Sequence, residues 1–479
     1  MGYLERLDSY KDEMIKTLGE SISKQSVNGE PVRTADGEYL PFGRGVHDSL
    51  THMLEKGREM GFAVYNDENY AGHIEFAPAE YDKNEGYFAV VGHVDVVPVG
   101  TGWDNDPFEM TEKDGVLYGR GSSDDKGPVV ASLYAMKALK DEGLELKMPI
   151  RLILGLDEET GPSSIEHYTE NIGQPAMGFT PDGSFPLVNA ELGILVFDLA
   201  QKFSAKPAKE ELRLTKFEAG TAHNAVPANA RAVISGDKAE FEDIIEKVKA
   251  YAEESGYDIS CRKQGASSLL VEAKGIAAHG AHPELGLNAA SILFELLGRI
   301  GFASEELNEF IAFYNEKIGF DLHGERIGCE FKDEESGALI FNVGVVNINE
   351  ELATLSVNIR YPVTYTDEMV LEAVQQVLEN TSVGVVTRMV QPPVYMDMGS
   401  PMVSKLMAAY IDETGEKDAE PIVMSGGTYA KMIDNTLAFG ALFPDEENTM
   451  HQANERLSID SLMKMARIYA RALYSLCIE

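Results

Sequence analysis

The stretch Gly86-Tyr-Phe-Ala-Val-Val-Gly-His-Val-Asp-Val-Val-Pro98 is a nearly continuous apolar run that contains one histidine and one aspartate. Such a run is typical of a strand that is covered on both faces. A second apolar run covers Arg151 to Leu156, and helical apolar spacing lies between the two, from Pro128 to Glu142. The order strand, helix, strand predicts a parallel α/β core. Functional groups in such sheets gather beyond the carboxyl ends of the strands, and both of these runs end in acidic or histidine-containing segments.

The rest of the chain suggests a second domain, because 479 residues exceed the size at which one hydrophobic core normally stops growing. From about residue 192 to 395 the pattern changes to alternating strands with a weak repeat of strand, strand, helix and strand. Two similar halves packed side by side would produce this repeat, and so would a chance resemblance. The halves are predicted as strands over 212–234, a helix over 240–254 and a strand over 257–273, then strands over 338–362, a helix over 367–379 and a strand over 383–394.

After Gly399 the pattern returns to helix and strand, with helices predicted over 402–411 and 460–476 and a strand over 437–442. The middle segment is therefore an insertion, and the first and last segments form one domain. We predict an α/β protein in which residues 1–191 and 396–479 form one domain. An inserted α+β lid domain of residues 192–395, with two ferredoxin-like halves, interrupts it.

The composition restricts partners and location. Acidic residues outnumber basic ones by 79 to 41, and the net charge of -38 repels phosphate backbones and anionic lipids, so we expect neither nucleic acid nor membrane as a partner. No apolar run approaches the length that a bilayer requires, and the first twenty residues lack the apolar stretch of a secretory signal. The three cysteines, Cys261, Cys329 and Cys477, are an odd number and fit a reducing compartment. We therefore expect a cytoplasmic protein.

Several acidic and histidine side chains are candidates for chemistry. His93 and Asp95 are two residues apart on the first predicted strand, so both leave the same face. One can bind a metal while the other fixes the imidazole tautomer, although the pair alone also fits a structural histidine. The turn Leu117-Tyr-Gly-Arg-Gly-Ser-Ser-Asp-Asp-Lys-Gly-Pro128 brings Asp124 and Asp125 to the start of the next helix, where acids also serve as caps.

Further acids follow the second predicted strand in Asp157-Glu-Glu-Thr-Gly161. Three consecutive carboxylates repel one another unless a cation offsets them, although a solvated loop would also accommodate them. Two later candidates are Asp182, in Thr180-Pro-Asp-Gly183, and His451, in Asn448-Thr-Met-His-Gln-Ala-Asn-Glu455.

Together these motifs resemble metallopeptidase family 20, the cocatalytic zinc family of aminoacylases, carboxypeptidase G, desuccinylases and dipeptidases. The resemblance covers nearly the whole chain in the family's order: His-x-Asp, Gly-Arg-Gly-x-x-Asp-x-Lys-Gly, Glu-Glu, Asp-Gly, Ala278-His279-Gly and a late His before Asn-Glu. Within the family the chain is most similar to PepV-type dipeptidases, because of its long lid, Ser122-Ser-Asp-Asp-Lys-Gly-Pro128 and Gly426-Gly-Thr-Tyr-Ala430. The resemblance implies that residues 1–191 and 396–479 form a zinc-peptidase-like catalytic domain, in which helices flank a mixed central sheet.

The resemblance also implies two divalent metal ions, zinc or alternatively manganese or cobalt, and five ligands. Asp124 would bridge the ions, and Glu158 would be the general base for the attacking water. An imidazole and carboxylate donor set suits zinc, and two ions can activate water and polarise the scissile carbonyl. Relatives with a single acid at this motif favour Asp124 over Asp125, which is left as a structural residue or as one that supports a ligand. The ligands would be His93 and Asp182 on one ion, Glu159 and His451 on the other, and Asp124 on both.

In the lid, His279 matches a histidine that stabilises the transition state, while His282 has no motif support and is expected to be structural or peripheral. Asn224, in His223-Asn-Ala-Val-Pro227, and Arg360, in Asn358-Ile-Arg-Tyr-Pro362, match residues that hold the substrate. Arginine can bind a free carboxylate through two parallel hydrogen bonds, although a surface ion pair is the alternative for Arg360.

These observations predict a metal-dependent dipeptidase that cleaves unsubstituted dipeptides. Asp182, where carboxypeptidase and deacylase relatives tend to have glutamate, leaves room for a free amine. One alternative is an N-acyl amino acid amidohydrolase, which would accept capped substrates. Another is a non-catalytic relative that binds metal or peptide, which would be expected to lose the base or a ligand. Because the doubled lid can occupy the surface through which many relatives dimerise, we expect a monomer.

Overall fold

The computed structural model describes residues 2–81, 86–204, 206–265 and 267–479. The chain divides into two units, a discontinuous unit of Met1–Ala190 with Val394–Glu479 and an inserted unit of Glu191–Pro393. Among the described residues, no helix has the length and apolar character that crossing a membrane requires.

In chain order, the helices are α1 (Tyr3–Asp8), α2 (Lys11–Ile22), α3 (Arg44–Glu59), α4 (Lys126–Asp141), α5 (Ser163–Ile172), α6 (Phe241–Ser255), α7 (Ala289–Gly298), α8 (Glu305–Lys317), α9 (Asp367–Leu378), α10 (Pro401–Thr414) and α11 (Ile459–Cys477).

The strands, in the same order, are β1 (Val32–Arg33), β2 (Tyr39–Leu40), β3 (Ala63–Asp67), β4 (Ala71–Phe76), β5 (Phe88–His93), β6 (Thr111–Lys113), β7 (Val116–Tyr118), β8 (Ile150–Gly155), β9 (Met177–Thr180), β10 (Gly183–Ser184), β11 (Val188–Glu191), β12 (Gly193–Lys202), β13 (Arg213–Ala219), β14 (Asn229–Ser235), β15 (Asp258–Lys263), β16 (Ser268–Lys274), β17 (Lys332–Asp333), β18 (Gly337–Ala338), β19 (Ile340–Asn349), β20 (Leu352–Tyr361), β21 (Gly384–Gln391), β22 (Val394–Tyr395), β23 (Ile422–Met424), β24 (Thr436–Ala438), β25 (Ala441–Leu442) and β26 (Arg456–Ser458).

A nine-stranded mixed sheet forms the centre of the discontinuous unit. Its order is β22-β11-β24-β9-β5-β8-β4-β3, with β23 paired to β11. Strands β24, β9, β5 and β8 run parallel to one another, whereas β4 pairs antiparallel with β8. Every residue of β5 is buried, as the apolar run predicts, and Val90, Leu133 and Leu152 share one core. The predicted mixed sheet flanked by helices is confirmed.

In the discontinuous unit, two differences from the sequence prediction have local reasons. Helix α4 begins at Lys126 rather than Pro128, and Pro128 lies in its first turn, where a missing N–H costs no helical hydrogen bond. The strand predicted over 437–442 is instead two short strands, β24 and β25. Gly440 separates them with a φ of 81°, a backbone conformation that favours glycine.

The inserted unit contains an eight-stranded sheet in the order β15-β16-β14-β13-β19-β20-β12-β21. Strands β12 and β20 pair antiparallel over ten residues, from Gly193 opposite Tyr361 to Lys202 opposite Leu352. Residues 257–273, predicted as one strand, form the β15 and β16 hairpin, and Gly265 with a φ of 74° lies in its turn. Each predicted half has its helix, α6 in the first and α9 in the second.

Candidate active site

Parallel strands place four of the predicted site residues at one edge of the central sheet. His93 is the last residue of β5, Glu158 and Glu159 follow β8, and Asp182 follows β9. Because these three strands are parallel neighbours, their carboxyl ends meet at the same edge. Asp124 lies in the loop that immediately precedes α4. The strand order therefore gathers residues that are far apart in the sequence.

Asp124 lies between two imidazoles. Its Oδ1 is 3.0 Å from Nε2 of His93, and its Oδ2 is 2.9 Å from Nε2 of His451. The same His451 nitrogen is 3.1 Å from Oε2 of Glu159, and the His93 nitrogen is 3.8 Å from Oδ2 of Asp182. One carboxylate oxygen is thus directed to each side, which is the arrangement that a bridging ligand requires. All five residues predicted as ligands lie in this cluster.

Glu158, predicted as the base, lies in the same cluster. One carboxylate oxygen of Glu158, one ring nitrogen of His93 and one carboxylate oxygen of Asp182 all lie within 4.8 Å of one another. The same holds for one carboxylate oxygen of Glu159 with atoms of His93 and Asp124. Distance alone therefore does not divide the two adjacent glutamates into a base and a ligand.

Asp95 acts on this cluster through other groups, so it is a positioning residue. Its Oδ1 lies 3.2 Å from Nδ1 of His93, and the same ring nitrogen lies 3.1 Å from the Asp95 carbonyl oxygen. The fully buried carboxylate also accepts hydrogen bonds from the backbone N–H groups of Glu158 and Glu159 and from Nδ2 of Asn28. One carboxylate thus orients an imidazole and the turn that carries both glutamates.

Asp125 supports the backbone rather than the ligand cluster. Its Oδ2 accepts a hydrogen bond of 3.1 Å from the His93 N–H, and its side chain is fully buried. A Cβ on Gly92 would lie 2.6 Å from that oxygen, so the carboxylate requires glycine at this place in β5. The location agrees with the structural role expected for Asp125.

The pKa shifts reflect an excess of negative charge. Burial opposes the charged form of His93, but the hydrogen bonds that its ring donates to Asp124 and Asp95 outweigh burial and raise the pKa of His93 well above the usual value. Hydrogen bonds with two carboxylates, Asp124 first, raise the pKa of His451 to about 10. Burial and then the Asp124 charge raise the pKa of Asp182 to about 7. Such clustered carboxylates are stabilised by a divalent cation.

The motif Gly426–Ala430, which in the sequence indicates only the family resemblance, contributes Tyr429 to the wall of this site. Tyr429 is fully buried, and its ring meets that of His93 edge-on at a centroid distance of 6.3 Å. A Cβ on Gly155 would lie 2.5 Å from the Tyr429 oxygen, which explains glycine at the end of β8. No sequence pattern indicates this role, because the contact joins distant segments.

The inserted unit carries a second polar cluster, in which Arg360 is 5% exposed. Its Nε donates to Oδ1 of Asn358 at 3.1 Å, and Nδ2 of Asn358 lies 3.1 Å from Nδ1 of His223. Because the Asn358 oxygen faces a donor, its nitrogen donates to His223, whose neutral ring therefore carries its proton on Nε2. No ion pair among the described residues involves Arg360, so the alternative of a surface ion pair is wrong.

His279 and Asn224 are exposed in loops of the same unit. Nδ1 of His279 accepts a hydrogen bond from the Ala281 N–H, which also places its proton on Nε2. The Gly280 N–H donates to the Asn224 carbonyl at 2.7 Å and joins the two loops. His282, expected to be structural or peripheral, is exposed, and its Nδ1 lies 3.4 Å from Oε1 of Glu284.

Burial lowers the pKa of Arg360 to about 10. Burial first, and the Arg360 charge second, lower the pKa values of His223 and His279. Within the described residues, no acidic group contributes to any of these three shifts. A buried cation without an acidic partner is ready to bind an anion.

Imidazoles and carboxylates gathered at the carboxyl edge of an α/β sheet are the donor set of a metal-dependent hydrolase. Residues 89–475 match the family model of Peptidase family M20/M25/M40, and the chain belongs to this family. It is therefore a hydrolase of the peptidase type, from a metal-dependent family. The predicted family and enzyme class are confirmed.

Individual relatives extend this comparison to the full length. The chain is 34% identical over 483 residues to a Staphylococcus epidermidis protein named "Putative dipeptidase", with 99% of each chain covered. Human carnosine dipeptidase 1 matches with a TM-score of 0.56 and 18% identity over 99% of this chain and 98% of that chain. The di-peptidase Dug1p of Saccharomyces cerevisiae matches with a TM-score of 0.55 and 13% identity over 99% and 97%. The two structures establish a shared fold.

Proposed function

We propose that this protein is a dipeptidase that hydrolyses unsubstituted dipeptides with the help of two divalent metal ions. The observation that carries the proposal is the position of Asp124, whose two carboxylate oxygens each lie within hydrogen-bond distance of a different imidazole, that of His93 or of His451. The name of the full-length Staphylococcus epidermidis relative supports the substrate class.

The donor set fits such ions. It combines two imidazole nitrogens with carboxylate oxygens, a mixture that suits zinc and also accommodates manganese or cobalt. When bound, the two ions would lower the pKa of a water molecule and polarise the scissile carbonyl. His93 and Asp182 would hold one ion, Glu159 and His451 the other, and Asp124 both.

The remaining groups of the cluster would move protons and orient ligands. Glu158 would take a proton from the attacking water and deliver it to the leaving amine, as a general base that then acts as an acid. Asp95 would keep the His93 ring in the tautomer that presents Nε2, since its own oxygens lie at Nδ1. The shorter side chain of Asp182 would leave room for the free amine of the substrate.

The polar cluster of the inserted unit would bind a free carboxylate. The Arg360 guanidinium, held through Nε by Asn358, would pair its remaining N–H groups with the free C-terminal carboxylate. Nε2–H of His279 would donate to the oxygen of the scissile carbonyl as negative charge develops there, and Asn224 would hold the peptide.

A competition assay tests this function directly. Zinc- and manganese-loaded protein would be offered a dipeptide in its free, N-acetylated and C-amidated forms, and cleavage would be followed by chromatography. We expect efficient cleavage of the free form only. Preferential release of amino acids from N-acetylated substrates would instead identify an N-acyl amino acid amidohydrolase, and binding of metal without cleavage of any form would identify a non-catalytic relative.

We also propose that the protein is a monomer, because its lid consists of two halves within one chain. Static light scattering at micromolar concentration tests this, and a stable dimer would contradict it.

A further inference from the structure

Glu455 links the two loops that carry the bridging carboxylate and the late histidine. It is fully buried and lies four residues after His451. Its backbone oxygen accepts a hydrogen bond from the Gly119 N–H. Its carboxylate accepts five hydrogen bonds from the loop before α4: from Arg120 Nη1 (2.7 Å), Gly121 N (3.0 Å), Ser123 N (2.9 Å), Ser123 Oγ (3.0 Å) and Asp124 N (3.1 Å).

All five hydrogen bonds to the Glu455 carboxylate come from one loop. A carboxylate has about four lone-pair sites, and in Glu455 both oxygens are occupied by donors of a single loop. Burial of a charge is costly unless such partners are present. Four of the five donors belong to the backbone or side chain of residues 121–124, so the carboxylate determines the path of the chain that leads into Asp124. The contact joins positions 331 residues apart.

We propose that Glu455 is a positioning residue that fixes Asp124 relative to His451, and thereby sets the affinity of the metal centre. The inference rests on the proposed metal centre, but not on the choice of peptide substrate. Glu455 itself is no ligand, because its two oxygens face the loop before α4.

A purely structural role is the competing explanation. Glu455 and Arg120 form a buried ion pair, and Arg120 is 1% exposed, with its guanidinium carbon 5.2 Å from the ring centroid of Trp103. Removal of one member of a buried pair destabilises a protein because the other charge is left without a partner. The two explanations differ in which bonds matter: the ion pair with Arg120, or the bonds to residues 121–124.

A double substitution separates them. Glu455→Gln has one acceptor oxygen instead of two, and its amide NH2 must face N–H donors of the loop. We expect this variant to lose both thermal stability and metal affinity. Arg120→Met combined with Glu455→Gln leaves no unpaired charge, so the stability of the metal-free protein should recover toward that of the unaltered protein. Zinc affinity should nevertheless remain roughly 10- to 100-fold weaker, because Asp124 is still poorly held.

The measurements are zinc affinity, by competition with a chromophoric chelator, and thermal unfolding of the metal-free protein. Trp103 is the single tryptophan, so its fluorescence reports whether the segment beside Arg120 stays folded. Glu446→Gln is the matched control. Its carboxylate, in the same C-terminal region, accepts hydrogen bonds from Phe443 N–H and Ser461 O–H, and this variant should bind zinc like the unaltered protein.

Two results would overturn the proposal. One is a double variant that binds zinc as tightly as the unaltered protein, and the other is a zinc affinity that follows thermal stability across all variants. Failure of the unaltered protein to bind zinc, manganese or cobalt would instead overturn the metal centre, so the two failures are distinguishable.

Discussion

The two polar clusters of this chain have opposite charge. In the discontinuous unit, carboxylates surround His93 and His451, and burial and the charges of its acidic neighbours raise the pKa of Asp182 to about 7. In the inserted unit, Arg360 and two imidazoles lie where no described acidic group influences them, although the chain has a net charge of -38. One cluster is suited to cations and the other to an anion. A dipeptide with free ends carries both an ammonium and a carboxylate group.

The clusters also differ in how firmly they are held. The carboxylate cluster is tied to its surroundings by buried groups, with Asp95 behind His93 and Glu455 behind Asp124. Both clusters have exposed members on loops, His451 in the carboxylate cluster and His279 and Asn224 in the basic cluster, where Arg360 is buried. Metal ligands need a fixed geometry before an ion arrives, while groups that meet a substrate can adjust to it. Metal removal and substitutions in each cluster can therefore test whether the two clusters differ in the charge that they bind and in how rigidly their residues are held.

Removal of metal should have the largest effect, because the carboxylate cluster then loses the ions that offset its negative charge. Prolonged chelation should abolish peptide hydrolysis, and added zinc or manganese should restore it. The thermal midpoint should fall as well, since an ion that binds the folded state stabilises it. Undiminished turnover in protein shown by elemental analysis to be metal-free would contradict the assignment.

The two adjacent glutamates should respond differently to the same substitution. Glu158→Gln removes the base but not a ligand, so it should keep both ions and lose roughly 10²- to 10⁴-fold in kcat. Glu159→Gln replaces a charged ligand by an amide, so it should lose one ion, with activity partly restored at high metal concentration. Elemental analysis measures this independently of rate. Metal loss in Glu158→Gln with full occupancy in Glu159→Gln would exchange the two roles.

The elements that the sequence predicts well are those whose signal is local. Strands β5 and β8 are buried on both faces, and their apolar runs show this directly. Proline and glycine mark the errors: the first turn of α4 tolerates Pro128, and Gly265 turns one predicted strand into a hairpin. In each case one residue determines the backbone, and the surrounding apolar pattern does not reveal it.

The candidate ligands can be identified from the sequence because each stands in a short motif, but the groups that hold them cannot. Glu455 contacts a loop 331 residues away, and Asn358 orients His223 across 135 residues. Such contacts depend on tertiary pairing, which leaves no spacing in the sequence. In the sequence His223 is visible only as the neighbour of Asn224, and its tautomer follows from the direction of two hydrogen bonds.

Loss of the buried guanidinium should have an intermediate effect that depends on the substrate. Arg360→Met keeps the apolar stem but removes the charge, so kcat/KM for free dipeptides should fall roughly 10- to 100-fold, the value of one or two charged hydrogen bonds. C-amidated substrates should change little. Arg388→Met is the matched control, because Arg388 pairs with Asp198 on the same sheet. Equal losses on both substrate types would assign Arg360 to the fold.

The smallest effect should appear in the titration of the two lid imidazoles. Burial and then the Arg360 charge lower the pKa values of His223 and His279. In Arg360→Met both pKa values should therefore rise. If Asn358 then rotates its oxygen toward His223, the pKa of His223 rises further, because an acceptor at Nδ1 favours the protonated ring. The chain has ten histidines, few enough for NMR titration, and His223→Gln and His279→Gln would assign the signals.

The same shifts determine how stability depends on pH. A histidine whose folded pKa lies below its unfolded value of about 6.5 contributes stability that is present above that value. This stability is lost as the pH falls through the folded pKa, because the unfolded chain then binds more protons. Since Arg360→Met makes the depression smaller, its free energy of unfolding should fall less than that of the unaltered protein between about pH 7.5 and 5.5. Denaturant unfolding at both pH values measures this. Unchanged histidine pKa values, with parallel stability curves, would show that Arg360 does not act on the imidazoles and that the basic cluster is not an electrostatic unit.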